Sequence, residues 1–401
     1  MRVLLSTYGT RGDVEPLVAL AVRLRELGAE VRMCAPPDEE FARRLAGVGV
    51  RLVPVGLPVR ELMRGQTLPS ATDLARYRDE LVEAQFDTFP AAFDGCDVVL
   101  AAGLGQVAAR SVAEATGVRY VYVSYAAVHL PSPHHAPPPR PGWPEPEAAD
   151  NTRLWELDAR NVDAQFGEAL NSHRAALGLP LVDNVRDHII TGRPWLAADP
   201  VLGPWRTAPG LDVVQTGAWT LADERPLPAD LAGFLDAGSP PVYVGFGSMA
   251  PAEGVGGMAV EAIRAQGHRV LVSRGWADLD LLDDGDDCFA IGEVSHQNLF
   301  RKVAAVVHHG GAGTTLTAAR AGVPQVVIPL QLSDNPYWAH RVAALDLGAA
   351  LDAPTTTVES LGIALKTALS PETRARATSL GGRLRTDGAE VAARRLVEES
   401  R

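Results

Sequence analysis

The most informative segment of this sequence is His308-His309-Gly310-Gly311-Ala312-Gly313-Thr314-Thr315. The apolar run Ala304–His308 leads into it with the pattern of a buried strand, and helical spacing begins at Thr314. Small residues between a strand and a helix let backbone N–H groups approach an anion, which the positive end of the helix also attracts. The segment therefore predicts a phosphate-binding turn in an α/β fold. A tight turn that needs small residues only for packing is the alternative.

Polar side chains in the same segment add to these backbone donors. His309 can donate to a phosphate oxygen from an uncharged ring, and Thr314 and Thr315 offer hydroxyl groups. The segment does not have the Gly-x-x-x-x-Gly-Lys-Ser/Thr pattern, which disfavours a nucleoside-triphosphate hydrolase. The first strand is not followed by Gly-x-Gly-x-x-Gly, which disfavours a nicotinamide or flavin enzyme.

Strand and helix patterns alternate along both halves of the chain, beginning at Val3–Tyr8 and again at Val242–Phe246. This alternation predicts two doubly wound, Rossmann-like α/β domains, each with a parallel sheet covered by helices. The stretch Ala198–Pro241 is rich in Pro, Gly and Asp and has weak periodicity, which is typical of a connection. We predict an N-terminal domain over 1–205, a linker region over 206–240 and a C-terminal domain over 241–387.

Composition indicates a soluble protein and excludes several partner classes. Among 401 residues, 46% are hydrophobic and 21% charged, and the net charge is −12 without any block of Lys and Arg, which disfavours a nucleic-acid partner. No stretch approaches the ~20 apolar residues of a membrane span, and the apolar start Met1–Tyr8 is too short for a signal peptide. Cys34, Cys96 and Cys288 have no paired spacing and are expected to be buried thiols in a reducing compartment. We therefore expect a cytoplasmic monomer with no membrane partner.

Several motifs in a fixed order resemble one enzyme family. His308–Thr315, followed by Ala321–Gln325, resembles the donor-site signature of family 1 glycosyltransferases of the GT-B fold. The opening Gly9–Pro16 is similar to that of the enzymes that glycosylate vancomycin-type glycopeptide antibiotics. Further matches to this group are Met33–Pro37, Asn171–Arg174, Gln215–Trp219, Phe246–Ser248, Ser273–Ala277 and Arg385–Ala389. The resemblance spans the chain and implies an acceptor domain and a nucleotide-sugar domain facing across a cleft. It also implies a C-terminal helix, at about 388–401, that packs back on the N-terminal domain.

The resemblance implies that Asp13 is the general base that removes the proton of the acceptor hydroxyl. The alternative is that Asp13 only caps the first helix. Pro16 favours the first helical position, which would make Glu15 the cap and leave Asp13 outside the helix.

The donor side follows from the same resemblance. Seven residues correspond to positions around the diphosphate: Thr10, Ser248, His309, Gly311, Ala312, Gly313 and Thr314. Trp276 and Val294 correspond to positions around the nucleotide base, although a lone Trp is often a core residue. Asp334 and Asn335 correspond to the pair that holds the hydroxyls of the donor sugar, with Asn335 where Gln is usual. The alternative for Asp334-Asn335-Pro336 is a turn that starts a helix.

A Pro-rich loop in the first half is the expected acceptor site. It offers His129, His134 and Trp143 on a Pro-stiffened backbone, which suits a bulky, ring-rich acceptor. A surface loop without function is the alternative. The carboxylates of Asp278-Leu279-Asp280 and Asp283–Asp287 lie in a polar stretch and are expected to face solvent, so no metal site and no cofactor besides the nucleotide sugar is predicted.

Together these features predict an inverting, metal-independent glycosyltransferase. The resemblance implies a dTDP- or UDP-sugar donor and a glycopeptide aglycone or its monoglycosylated form as acceptor. A macrolide, aromatic polyketide or sterol acceptor is an alternative within the class. A nucleotide-sugar epimerase on the same fold and a non-catalytic nucleotide-sugar-binding protein are alternatives outside it.

Overall fold

The computed structural model describes residues 1–62, 71–140, 150–249, 254–275 and 285–400. The chain forms two compact units. The first unit comprises Met1–Pro137, Pro141–Leu221 and Arg385–Arg401, and the second comprises Pro138–Arg140 and Ala222–Leu384.

The first unit is built on a parallel sheet. Its strands are β1 (Arg2–Thr7), β2 (Glu30–Ala35), β3 (Arg51–Pro54), β4 (Val98–Ala102), β5 (Arg119–Ser124), β6 (Trp195–Leu196) and β7 (Val214–Gln215). They pair in the order β3-β2-β1-β4-β5-β6-β7. In β1 and β4 nearly every residue is buried, because helices cover both faces of the sheet.

Helices follow the strands in the first unit. They are α1 (Arg11–Glu26), α2 (Glu39–Gly47), α3 (Val59–Leu62), α4 (Ala71–Phe93), α5 (Ala109–Thr116), α6 (Asn151–Ala176) and α7 (Val185–Ile190). The strand order reverses between the neighbours β1 and β4. Ligands of open α/β sheets bind at such a switch point, beside the carboxyl ends of the strands. The turn from β1 into α1, which carries Asp13, lies at this place.

The second unit repeats this plan. Its strands are β8 (Val242–Gly245), β9 (Val270–Ser273), β10 (Cys288–Ile291), β11 (Ala305–His308), β12 (Gln325–Val327) and β13 (Gly348–Ala350), in the parallel order β10-β9-β8-β11-β12-β13. The order reverses between β8 and β11, where His308 pairs with Gly245. The turns after β8 and β11 therefore lie at the switch point of this sheet.

The helices of the second unit are α8 (Ala229–Asp236), α9 (Val255–Arg264), α10 (His296–Leu299), α11 (Ala312–Arg320), α12 (Asn335–Ala344), α13 (Val358–Ala368) and α14 (Pro371–Gly381). Helix α14 begins with a regular cap, because Ser370 accepts a hydrogen bond from the amide of Thr373 and Pro371 occupies the first helical position. Apolar side chains of β8, β11 and α9 form one core cluster of this unit.

The last helix, α15 (Gly388–Glu398), belongs to the first unit and packs against α1. Residues 206–221 group with the first unit and 222–240 with the second. Among the described residues, no helix combines the length and the hydropathy that a bilayer crossing needs. Cys34, Cys96 and Cys288 are buried thiols, as predicted.

The expected start of the first helix is wrong. Helix α1 begins at Arg11 with Thr10 as its cap residue, so Pro16 lies inside the helix and Glu15 caps nothing. As the sixth residue of α1, Pro16 removes the hydrogen bond that the carbonyl of Gly12 would otherwise accept. Asp13 is therefore the third residue of the helix, not a residue outside it.

Candidate functional site

His308, at the end of β11, is a structural residue. It is fully buried, and its Nδ1 accepts a hydrogen bond from the amide of Gly310 at 3.1 Å. The ring proton is therefore on Nε2, which donates to Oε1 of Gln325 at 2.9 Å. Burial lowers the pKa of His308 to about 3, so the neutral ring joins β11 to the start of β12.

His309 differs from His308 in the hydrogen bonding of its ring. It is only 8% exposed, yet among the described residues its Nδ1 has no hydrogen-bond partner. Burial lowers the pKa of His309 to about 4, and the carboxylate of Asp334 partly opposes this shift. A buried ring nitrogen without a partner is unfavourable until a ligand supplies one, so this atom is a candidate binding position. Gly311 makes room for the ring, since an added Cβ would lie 2.6 Å from Nε2 of His309.

Helix α11 begins beside this ring, two residues earlier than the sequence predicts. Gly311 is its cap residue, and Ala312, Gly313 and Thr314 form its first turn. Amide groups in a first turn have no acceptor inside the helix and point toward an anion at its end. Thr315 is not available to a ligand, contrary to the prediction, because its buried hydroxyl donates to the carbonyl of Gly311 at 2.9 Å.

The Asp334-Asn335 pair lies at the start of α12, where Asp334 is the cap residue. Oδ2 of Asp334 accepts a hydrogen bond from Nε1 of Trp338 at 2.7 Å, a contact that sequence reasoning missed. Asn335 is 7% exposed, and its carbonyl oxygen lies 2.8 Å from the place where a Cβ on Gly310 would stand. Gly310, at φ +88°, therefore lets the turn after β11 lie directly against the start of α12.

The turn after β8 also reaches His309. Gly247, at φ +62°, lies so close that an added Cβ would be 3.4 Å from Cε1 of the His309 ring. Ser248 follows and is half-buried. Val294 packs beside an apolar cluster of the same unit, and Trp276 lies outside the described residues. Gly247 and Gly311 thus adjoin the His309 ring, and Asp334 lies near enough to oppose the lowering of its pKa.

Asp13 lies in the first unit with its carboxylate tied to the turn before it. Oδ2 accepts a hydrogen bond from the amide of Thr10 at 2.8 Å, which is the contact of a helix-capping carboxylate. The side chain is half-buried, and an added Cβ on Gly9 would lie 2.1 Å from the same Oδ2. The capping contact considered as an alternative is thus present. Thr10, predicted at the diphosphate, is half-buried in this turn.

The predicted acceptor loop is described only in part. His129 is half-buried in a short 3₁₀ turn, and His134 is exposed with Nε2 at 3.0 Å from the carbonyl oxygen of Thr207. Trp143 lies outside the described residues. His135, in the same loop, is more buried than His134 and packs edge-on to Trp155 with ring centroids 5.9 Å apart.

In the part of the chain that the structure describes, no three His, Cys, Asp or Glu side chains are grouped to hold a metal ion. Asp278, Asp280 and Asp283 lie outside that part. Asp287 pairs with Arg264, whose Nη2 lies 2.8 Å from Oδ1 of the aspartate.

Comparison with known proteins identifies the family. Residues 3–129 match the model of the glycosyltransferase family 28 N-terminal domain, and residues 283–392 match that of the erythromycin biosynthesis protein CIII-like C-terminal domain. The chain is 55% identical over 401 residues to the vancomycin aglycone glucosyltransferase of Amycolatopsis orientalis, covering 99% of this chain and 97% of the relative. The chain belongs to the vancomycin-group glycosyltransferases.

Two more relatives from Amycolatopsis orientalis place this glycosyltransferase in the same group. Glycosyltransferase GtfE is 55% identical and covers 98% of this chain and 96% of the relative. A dTDP-epi-vancosaminyltransferase is 51% identical and covers 95% of this chain and 93% of the relative. The predicted family and the predicted glycosyltransferase activity are confirmed.

Solved structures of other glycosyltransferases have the same fold at low sequence identity. The glycotransferase of kitacinnamycin has a TM-score of 0.74 at 20% identity and covers 100% of this chain and 98% of its own. The glycosyltransferase VinC, solved in complex with dTDP, has a TM-score of 0.67 at 20% identity and covers 100% of this chain and 99% of its own. With two parallel sheets in the chain itself, these neighbours confirm the predicted GT-B fold class.

Proposed function

We propose that this glycosyltransferase moves a sugar from a dTDP- or UDP-sugar to a glycopeptide aglycone or pseudoaglycone, with inversion and without a metal ion. The observation that carries the donor half is the buried, unpartnered Nδ1 of His309 at the N-terminus of α11. A diphosphate is the ligand that such a site suits, because it accepts hydrogen bonds from both the ring and the first-turn amides.

The neighbouring turns are the parts that would complete a donor site. Gly311, Ala312, Gly313 and Thr314 would donate to the diphosphate from backbone and hydroxyl groups. Ser248, Trp276 and Val294 remain the proposed contacts of the nucleotide. Asp334 and Asn335 remain the proposed partners of the sugar hydroxyls, one accepting and the other also donating.

Names of relatives favour dTDP as the carrier and a glycopeptide as the acceptor. One relative is named for dTDP-epi-vancosamine and another for the vancomycin aglycone, at 51% and 55% identity. A more distant neighbour was solved with dTDP. His129, His134 and Trp143 are the proposed acceptor contacts in the first unit.

The proposed reaction is a single displacement. An acceptor oxygen forms a bond to the anomeric carbon as the bond from that carbon to the diphosphate oxygen breaks, so the configuration inverts. The acceptor proton passes to the carboxylate of Asp13, and the diphosphate leaves with the electron pair. Thr10 would act beside Asp13 in the same turn.

Charge on the leaving diphosphate would be stabilised without a cation. Helix α11 supplies a positive N-terminus and oriented amides, which act strongly at a buried site. His309 would contribute as a neutral donor, since its pKa is held at about 4. We also place the enzyme in the cytoplasm, where its three buried thiols would stay reduced.

Mass spectrometry of reaction mixtures tests this proposal. A panel of dTDP- and UDP-sugars is paired with glycopeptide aglycones, with chelator present throughout and Asp13→Asn assayed alongside. An aglycone that gains one hexose or deoxyhexose mass with the native chain, and hardly with the variant, is the expected result. Mass gained only by a macrolide, polyketide or sterol would overturn the acceptor assignment. A donor that is epimerised or bound without transfer would overturn the reaction itself.

A further inference from the structure

Tyr125 touches the residue that carries the proposed base. Its hydroxyl donates a hydrogen bond to the backbone carbonyl of Asp13 at 2.9 Å, although the two residues are 112 positions apart in the chain. Burial and the nearby Asp13 raise the pKa of Tyr125 well above its usual value, so the hydroxyl remains a donor at any working pH. This bond ties the first turn of α1 to the carboxyl end of β5.

The first turns of α1 need such an external bond. Pro16 has no N–H group, so the carbonyl of Gly12 has no partner four residues ahead in the helix. The carbonyl of Asp13 is the next one along, at the point where the helix is weakened. The hydrogen bond from Tyr125 adds an external anchor to this weakened turn, which carries the Asp13 side chain.

Tyr125 is itself held on two sides. On the chain side, β5 ends at Ser124, whose hydroxyl donates to the carbonyl of Ala126 at 2.8 Å and accepts from the amide of Ala126 at 3.3 Å. On the ring side, Trp219 packs edge-on against Tyr125, with centroids 6.4 Å apart and an interplanar angle of 76°. These contacts leave the Tyr125 ring little freedom to turn away from α1.

Trp219 is in turn fixed by two motifs that have no role in the proposed chemistry. Its Nε1 donates to Oγ1 of Thr216 at 2.9 Å, and the indole is 3% exposed. Gly388, the first residue of α15, lies so close to this segment that an added Cβ would be 2.5 Å from the carbonyl oxygen of Ala218. The backbone of Gly217, whose φ is +91°, lies equally close to Gly388. The motifs Gln215–Trp219 and Arg385–Ala389 thus form one packed support behind Tyr125.

We propose that Tyr125 is a positioning residue for Asp13, and that the motifs Gln215–Trp219 and Arg385–Ala389 serve the reaction by holding Tyr125 in place. The inference rests on the proposed role of Asp13 as base. Tyr125 touches no reacting atom in this scheme; it acts by fixing the turn from which the carboxylate projects. Small displacements of a catalytic group are costly in rate, so the hydroxyl matters to kcat.

The test compares two tyrosines, one on β5 and one directly after it. Tyr125→Phe removes the bond to Asp13, and Tyr120→Phe removes a bond of the same kind, from the Tyr120 hydroxyl to the carbonyl of Ile189 at 2.9 Å. Both side chains are half-buried, so both variants should lose similar thermal stability. We expect Tyr125→Phe to lower kcat about tenfold with the KM of the donor unchanged, and Tyr120→Phe to keep native kcat.

A double variant separates positioning from general loosening. In an Asp13→Asn background, adding Tyr125→Phe should reduce the residual kcat no further, because the residue through which it acts is already disabled. Equal kcat in Tyr125→Phe and Tyr120→Phe, or a further tenfold loss in the double variant, would overturn the positioning role. Native kcat in Asp13→Asn alone would instead overturn the proposed base, whatever the tyrosine variants do.

Discussion

Trp338 donates the hydrogen of its indole nitrogen to Oδ2 of Asp334, with the two atoms 2.7 Å apart. The residues are one helical turn apart at the start of α12, so the bond spans the first turn of this helix. Trp338 is 3% exposed and fixed by its packing. One carboxylate oxygen of Asp334 is therefore held in place, and the orientation of the other follows from it.

Trp338→Phe should weaken recognition of the donor sugar but not of its nucleotide. The variant keeps an aromatic ring in the core but removes the five-membered ring of the indole, with the N–H that orients Asp334. We expect a donor KM several times higher, about 1 kcal/mol of lost binding, because an unoriented carboxylate must be ordered by the sugar itself. Steady-state kinetics with the best donor measure this change.

Nucleoside diphosphate without a sugar is the matched control ligand. Its affinity for Trp338→Phe, measured by calorimetry, should equal that of the native enzyme. A parallel loss of affinity for the nucleoside diphosphate would mean that Trp338 supports the whole donor site and not the sugar contact.

Gly9→Ala should disable the proposed base while leaving the fold intact. The added Cβ would stand 2.1 Å from Oδ2 of Asp13, so the carboxylate must move away from its bond with Thr10. We expect kcat to fall about 10- to 100-fold with donor affinity unchanged, since a misplaced base loses most of its catalytic effect. Gly47→Ala, at an exposed position with open space around it, is the control that should keep native kcat.

Stability of the enzyme should fall in mildly acidic solution because of its buried histidines. Burial lowers the pKa of His308 to about 3 and that of His309 to about 4, below the ~6.5 of an unfolded chain. At a pH between the pKa of the folded protein and that of the unfolded chain, these histidines bind more protons in the unfolded chain than in the folded protein. The free energy of unfolding is therefore greatest above about pH 6.5 and decreases as the pH falls toward 4. His309 alone should account for roughly 3 kcal/mol of that loss.

Urea unfolding at a series of pH values measures this dependence. His309→Leu should make the curve shallower between pH 6.5 and 4, whereas His340→Asn, at an exposed position of α12, should leave it as it is. A native curve that is flat or rises on acidification would contradict the assignment of neutral buried rings.

The central strands of both sheets were predictable because burial on two faces produces continuous apolar runs, whereas the short strands β6 and β7 at the edge of the first sheet were not predicted. Strand β1 and strand β11 are such runs, each bounded by glycine or a polar turn. The start of α1 was not predictable from Pro16, since proline fits several early helical positions and its preference for the first one is statistical. The carboxylate of Asp13 decided the boundary by capping the amide of Thr10.

The contacts that support the site were predictable only when they are local. Asp334 and Trp338 are four residues apart, a spacing that brings side chains together on any helix. Tyr125 and Asp13 are 112 residues apart, and only the order of β1, β4 and β5 in the sheet makes them neighbours. The two histidines after β11 look alike in sequence, and their partners in space distinguish them.

His308 and His309 should respond in opposite ways to the same substitution. His308→Leu leaves Oε1 of Gln325 and the amide of Gly310 buried without their partner. We expect the free energy of unfolding at pH 7.5 to fall by about 2 to 4 kcal/mol, because each unsatisfied buried group costs about 1 to 3 kcal/mol.

His309→Leu removes a ring whose Nδ1 has no partner in the described structure, so it should cost little stability at pH 7.5 or even add some. Its affinity for dTDP or UDP should fall about tenfold or more, since a diphosphate oxygen loses a donor at the N-terminus of α11. Thermal unfolding and calorimetry on the two variants measure both quantities. Equal destabilisation by the two substitutions would show that His309 is a second structural histidine, and the proposed diphosphate site would then lose the residue on which it depends.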